Sequence, residues 1–170
     1  MRRLSAALLL AALLLTACSR APQLHQREAF VFGTRVEVSV WGESADKAAQ
    51  ALAAVLAEFD RLHRLLHAWQ PSELTTLNEA IARGEGNIAV SAELTFLLKD
   101  AADIAARSDQ LFNPAIGRLV ALWGFHSDEF RPQLPDMAAV EAVAKARPSM
   151  SDLTITDNSV SSRNRAVQLD

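Results

Sequence analysis

Between Ala29 and Leu66 the chain switches from a period of two to a period of 3.6, and no other stretch constrains its fold as tightly. Val36, Val38 and Val40 alternate with Arg35, Glu37 and Ser39, which predicts one strand over Ala29–Trp41 with a single apolar face. After Gly42, Ser44 is placed to start a long helix. Ala48, Leu52, Val55, Leu56, Phe59, Leu62 and Leu66 then recur at three-and-four spacing on one face. Asp46 near its start and Arg61 and Arg64 near its end suit the helix dipole.

The remaining pattern keeps strands and helices interleaved. A short helix is expected from Ser72 to about Ala82, then a glycine turn, a brief strand at Ile88–Val90, and a helix from a Ser91 cap to about Arg107. A polar loop spans His126–Pro135, and a last helix runs from near Asp136 to before Pro148. Three β-type runs close the chain, at 153–156, 159–161 and 166–169, separated by Asp157-Asn158 and Arg163-Asn164-Arg165 turns. The fold class is therefore α+β. Between the helices lies Leu111–Phe125, LFNPAIGRLVALWGF, in which Asn113-Pro114 reads as a capped helix start and Gly124 as its stop. The backbone N–H groups at such a start can receive an anion, although an ordinary capped core helix is written the same way.

The amino terminus reads as an export signal. Arg2 and Arg3 precede an apolar run, Leu4–Leu15, that falls short of the ~20 residues a spanning helix needs. Leu15-Thr16-Ala17-Cys18 looks like a lipobox, with cleavage after residue 17 and lipid (palmitate among it) on Cys18, the only cysteine. The expected division is 1–17 leader, 18–28 lipid-anchored tether and 29–170 domain, on a membrane facing the periplasm. Losing Arg2 and Arg3 takes the net charge from −3 to −5, which argues against nucleic acid or anionic lipid as the main partner.

Local chemistry is sparse. No glycine-rich phosphate loop and no cysteine nucleophile is written here. His63 and His67, four apart, are spaced for one face of a helix and a metal, but helix-end electrostatics explains them as well. His25 and His126 sit in polar segments without a motif. Trp69, next to Pro71 between two helices, reads as a core-edge plug.

Four stretches in order carry a resemblance. They are Phe32-Gly33-Thr34, Trp69-Gln70-Pro71-Ser72-Glu73-Leu74 with Leu77-Asn78, the Leu111–Phe125 segment, and Val167-Gln168-Leu169-Asp170. Together they resemble the motifs of the ApbE family, the FAD:protein FMN transferases, from about Phe30 to Asp170. The resemblance implies an ApbE-like (T-fold-like) mixed sheet with packed helices, truncated before the second half of the domain. It implies FAD as substrate, Mg²⁺ with ligands beyond Asp170, and transfer of FMN to a Ser/Thr hydroxyl of envelope proteins such as subunits of membrane redox complexes. The truncated chain is expected to be inactive alone. The alternative is a non-catalytic flavin-binding or structural envelope lipoprotein. By the same resemblance Phe32, Trp69, Leu111, Phe112, Asn113 and Asp170 are the flavin-contacting candidates, with His67 and Ala68 as alternatives to Trp69. Asn113 replaces the usual aspartate, and Arg118 stands where proline is usual.

Overall fold

A computed structural model describes residues 21–127 and 134–170; the leader, Cys18 and residues 128–133 of the polar loop lie outside the described residues. The chain divides after Phe59 into two units.

The first unit is built on a hairpin. Strands β1 (Leu24–Val31) and β2 (Thr34–Trp41) pair antiparallel from Val31↔Thr34 to Leu24↔Trp41. The two residues between them, Phe32 (φ 54) and Gly33 (φ 69), are both left-handed, as a type I′ turn requires. The single strand expected over Ala29–Trp41 is thus two strands split by a turn. Leu24–Glu28, expected in the tether, are paired with β2. The sequence hides this turn because a phenylalanine occupies a position that usually takes Asn, Asp or Gly. Val36, Val38 and Val40 are the half-buried positions of β2, as their alternation predicts. Helix α1 (Ala45–Leu66) starts where Ser44 C=O accepts from Ala48 N–H, and it buries Ala48 and Leu52.

The second unit holds α2 (Glu73–Arg83), β3 (Ile88–Ala89), α3 (Ala92–Arg107), α4 (Gly117–Leu122), α5 (Met137–Ala146), a 3₁₀ turn Met150–Asp152, β4 (Leu153–Ile155) and β5 (Ser159–Ser162). The strands form an antiparallel sheet in the order β3-β5-β4. Local chemistry explains three helix starts. Ser72 and Thr75 form a reciprocal cap on α2, Ser91 Oγ accepts from Leu94 N–H on α3, and Asp136 accepts from Ala138 N–H on α5. Glu73 also accepts from Ser91 Oγ at 2.8 Å, tying the first turn of α2 to the cap of α3. Leu74, Leu77 and Ile81 of α2 meet Leu94 and Leu98 of α3, Val160 of β5, and Val167 and Leu169 of the tail in one core. Fully burying each such aliphatic side chain is worth about 2 kcal/mol.

The expected Asn113-Pro114 helix start is corrected. Helix α4 begins three residues later, at Gly117, and its preceding residue Ile116 makes no side-chain cap. Asn113 Oδ1 accepts from Ala115 N–H, while its amide donates to Pro148 C=O at 3.0 Å. The tail is the reason. Asp170 N–H donates to Pro114 C=O, Gln168 N–H to Ala115 C=O, and Gly117 N–H to Gln168 C=O at 2.7 Å. These parallel bonds occupy the backbone groups that a helix from Pro114 would use. The approach is close enough that a Cβ on Gly117 would lie 2.7 Å from Gln168 O, so only glycine fits. Residues 166–169, expected as a strand, instead make an isolated parallel bridge through Ile116↔Gln168.

Candidate functional site

The loop between α1 and α2 is stitched to itself, and that fixes its tryptophan. His67 Nδ1 accepts from Gln70 N–H at 3.1 Å, and His67 C=O accepts from Ser72 Oγ at 2.7 Å. Through Nδ1 and its backbone carbonyl, His67 closes this turn. Trp69 lies edge-on to His67 at 4.5 Å and is stacked on His126, ring centres 5.1 Å apart and 22° from parallel. Its Nε1–H is buried and finds no acceptor among the described residues. His126 Nε2 in turn lies 3.1 Å from Asp170 Oδ2, with the His126 side chain only 8% exposed. Trp69, His126 and Asp170 form one continuous chain of contacts drawn from three distant segments.

Beside this chain is a cleft of about 280 Å³, lined among others by Trp69, Asn78, Arg118, His126, Arg165 and Val167. Its volume is at the low end for small-molecule sites, enough for part of a dinucleotide. Its floor is the tail, and Asn78 holds that floor. The buried Asn78 amide donates to Leu169 C=O at 2.9 Å and its Oδ1 accepts from Leu169 N–H at 2.7 Å. Both polar groups of one tail residue are therefore satisfied by one side chain 91 positions away.

The bend that brings Arg165 to the cleft is anchored by Asp152. Its carboxylate accepts from Arg163 Nε at 2.8 Å and from Asn164 Nδ2 at 3.0 Å. Burial works against ionisation of Asp152, yet these bonds and one from Ser149 N–H outweigh it and hold its pKa below 3.8.

The sequence-predicted residues do not all meet. Trp69, its neighbour Ala68 and Asp170 belong to this region, whereas His67 is buried behind Trp69. Leu111 is 92% exposed and lines neither hollow named here. Phe112 borders a second, apolar groove with Leu98, Pro114, Leu169 and Asp170. Asn113 does structural work in its own turn. Phe32, in the first unit, sets its ring edge-on to Phe59 at 6.1 Å. Sequence reasoning missed His126, for which no local signal exists, and Arg165, whose turn gave no hint of a cleft. Asn78 was visible only as part of the Leu77-Asn78 motif. Among the described residues no three His, Cys, Asp or Glu side chains are grouped to hold a metal ion, so the pairing of His63 with His67 gains no third ligand.

Comparison with known proteins places this arrangement. The chain is 43% identical over 141 residues to an FAD:protein FMN transferase of Rhodobacter capsulatus, covering 83% of this chain and 27% of the relative. It is 30% identical over 157 residues to one from Salmonella typhimurium, covering 88% and 44%. The chain therefore spans less than half the length of these relatives. Among solved structures it is similar to the ApbE protein of Thermotoga maritima, with a TM-score of 0.72 and 23% identity over 87% of this chain and 47% of the other. It is similar too to the flavinyl transferase ApbE of Pseudomonas stutzeri, with a TM-score of 0.69 and 22% identity over 89% and 50%. These likenesses establish the α+β, ApbE-like fold. The profile of the ApbE family matches residues 32–170, the span that holds the Trp69 loop, the Asn78 clamp and the Asp170 tail, and the chain belongs to that family.

Proposed function

We propose that this chain supplies part of the flavin-dinucleotide site of an FAD:protein FMN transferase, anchored through Cys18 to a membrane facing the periplasm. The observation that carries the reading is the junction of two family motifs at one cleft: Asn78 of the Leu77-Asn78 stretch grips Leu169 of the Leu169-Asp170 stretch, next to Trp69. An indole is a flat surface of the kind a tricyclic flavin ring stacks on, and such stacking adds about 1 kcal/mol beyond area burial; one side of Trp69 is already stacked on His126.

In the proposed reaction a Ser or Thr hydroxyl oxygen of an acceptor protein attacks the FMN phosphorus of FAD. The P–O bond of the anhydride breaks, AMP leaves with the bridging oxygen, the hydroxyl proton is released to solvent, and FMN becomes a phosphoester of the acceptor. The role of this chain is to bind and orient the dinucleotide. His126 Nε2 lies 3.1 Å from Asp170 Oδ2, and that contact orients the imidazole beside the cleft. When bound, the divalent ion implied by the resemblance would offset the charge of the diphosphate; among the described residues no cluster of three His, Cys, Asp or Glu side chains is present to hold it.

The test is incubation of this chain with FAD, Mg²⁺ and an acceptor peptide carrying a Ser/Thr-containing flavinylation motif. Saturable FAD binding without a flavin-peptide adduct by mass spectrometry is the expected result. Efficient transfer would overturn the division of labour, and no FAD binding would overturn the flavin reading itself.

A further inference from the structure

The Trp69 cleft carries a charge arrangement that the rest of the surface does not. Arginines elsewhere in the described chain are mostly taken up by carboxylates: Arg35 by Glu28, Arg61 by Glu93, Arg64 by Asp60, Arg83 by Glu79 and Glu85, Arg107 by Asp103, and Arg163 by Asp152. Among the described residues four arginines, Arg27, Arg118, Arg147 and Arg165, have no such partner, and two of them, Arg118 and Arg165, line this one cleft. The protein is acidic overall, with a net charge of −3, so two cations left without carboxylates at one concave site go against its composition. The single carboxylate on the same wall, Glu79, is engaged by Arg83 at 3.7 Å.

Both arginines are held by their surroundings. Arg165 follows a turn in which Asn164 donates to Asp152 and to Ala146 C=O and accepts from Ala166 N–H. Its guanidinium rests directly over Gly84: a Cβ there would come within 2.3 Å of Arg165 Nε. Arg118 stands on the first turn of α4, whose start is pinned to the tail by the Gly117–Gln168 bond.

We propose that Arg118 and Arg165 are a two-arginine clamp for a phosphate or diphosphate group entering the cleft beside Trp69. The ligand class is a phosphate-bearing small molecule. This deepens the flavin reading and rests on it: the clamp engages the charged part of the dinucleotide while Trp69 engages the ring. Guanidinium groups suit this task because their paired N–H donors match phosphate oxygens, and bonds to charged groups are the strong ones.

The experiment is isothermal titration of the chain at low ionic strength with three probes, inorganic pyrophosphate, AMP and riboflavin, each variant first checked for native circular dichroism. Wild-type chain is expected to bind pyrophosphate and AMP. Arg118→Gln and Arg165→Gln are each expected to weaken both by about tenfold, with riboflavin affinity changed less than twofold. Arg165→Lys should recover part of the loss. Pyrophosphate binding that is absent, or equal in wild type and both Gln variants, would overturn the clamp. Parallel loss of riboflavin and pyrophosphate would also overturn it, because that pattern marks a general distortion of the cleft. A chain that binds pyrophosphate through these arginines yet ignores riboflavin would keep the clamp and sink the flavin reading. Loss of the clamp with riboflavin bound would do the reverse.

Discussion

Two extended segments of this molecule have opposite characters. The β1–β2 hairpin pairs eight residues with eight, yet Phe30 is 76% exposed and Trp41 64%. The tail Ala166–Asp170 makes only an isolated bridge, yet Val167 and Leu169 are 1% and 2% exposed. A long backbone ladder thus holds a segment whose side chains mostly face outward. A short one, reinforced by a buried amide and a glycine contact, holds the segment that floors the cleft. Anchoring in this fold follows burial and polar satisfaction, not the number of paired residues.

Substitutions on the tail side should cost most. Asn78→Ala leaves the N–H and C=O of Leu169 unpaired in the core, and denaturant unfolding should show a loss of roughly 2–4 kcal/mol. A loss below about 0.5 kcal/mol would mean the tail is held by apolar burial alone. Gly117→Ala drives a methyl into Gln168 C=O and should cost roughly 1–3 kcal/mol, with α4 displaced from the tail.

The Asp152 anchor gives a smaller effect with a pH signature. Because its folded pKa lies below 3.8, the stability it adds is fully present above that value and is lost as pH falls through the folded pKa. Asp152→Asn should cost about 1 kcal/mol at neutral pH and flatten the acid limb of the stability profile below pH ~4. An unchanged acid limb would remove Asp152 from the account.

The hairpin should show the smallest change, of opposite sign. Phe32→Asn relieves a left-handed phenylalanine and writes Asn-Gly into a type I′ turn, raising stability by about 0.5–1 kcal/mol. Destabilisation instead would show that the Phe32–Phe59 contact outweighs the backbone strain.

What could be read from the sequence follows the same division. Helices with local caps were legible because Ser72, Ser91 and Asp136 act within three residues of themselves. The Asn113-Pro114 start was misread because its competitor, the tail, arrives from more than fifty residues downstream. The hairpin was misread because Phe32 lacks the composition its backbone conformation favours. At the site, motif resemblance led to Trp69 and Asp170 but could not join them. The link is His126, a residue with no motif, placed by the tertiary fold. The triplet Leu111, Phe112 and Asn113 shows the reverse: a motif match whose side chains do not line the Trp69 cleft.

The central claim is that a flavin dinucleotide sits against Trp69. The direct measurement is tryptophan fluorescence of a Trp41→Phe, Trp123→Phe variant, in which Trp69 is the only emitter, titrated with FAD. Saturable quenching that plateaus with ligand, and is competed by riboflavin, is the predicted result. Emission that declines only in proportion to FAD absorbance, with no plateau, would contradict it.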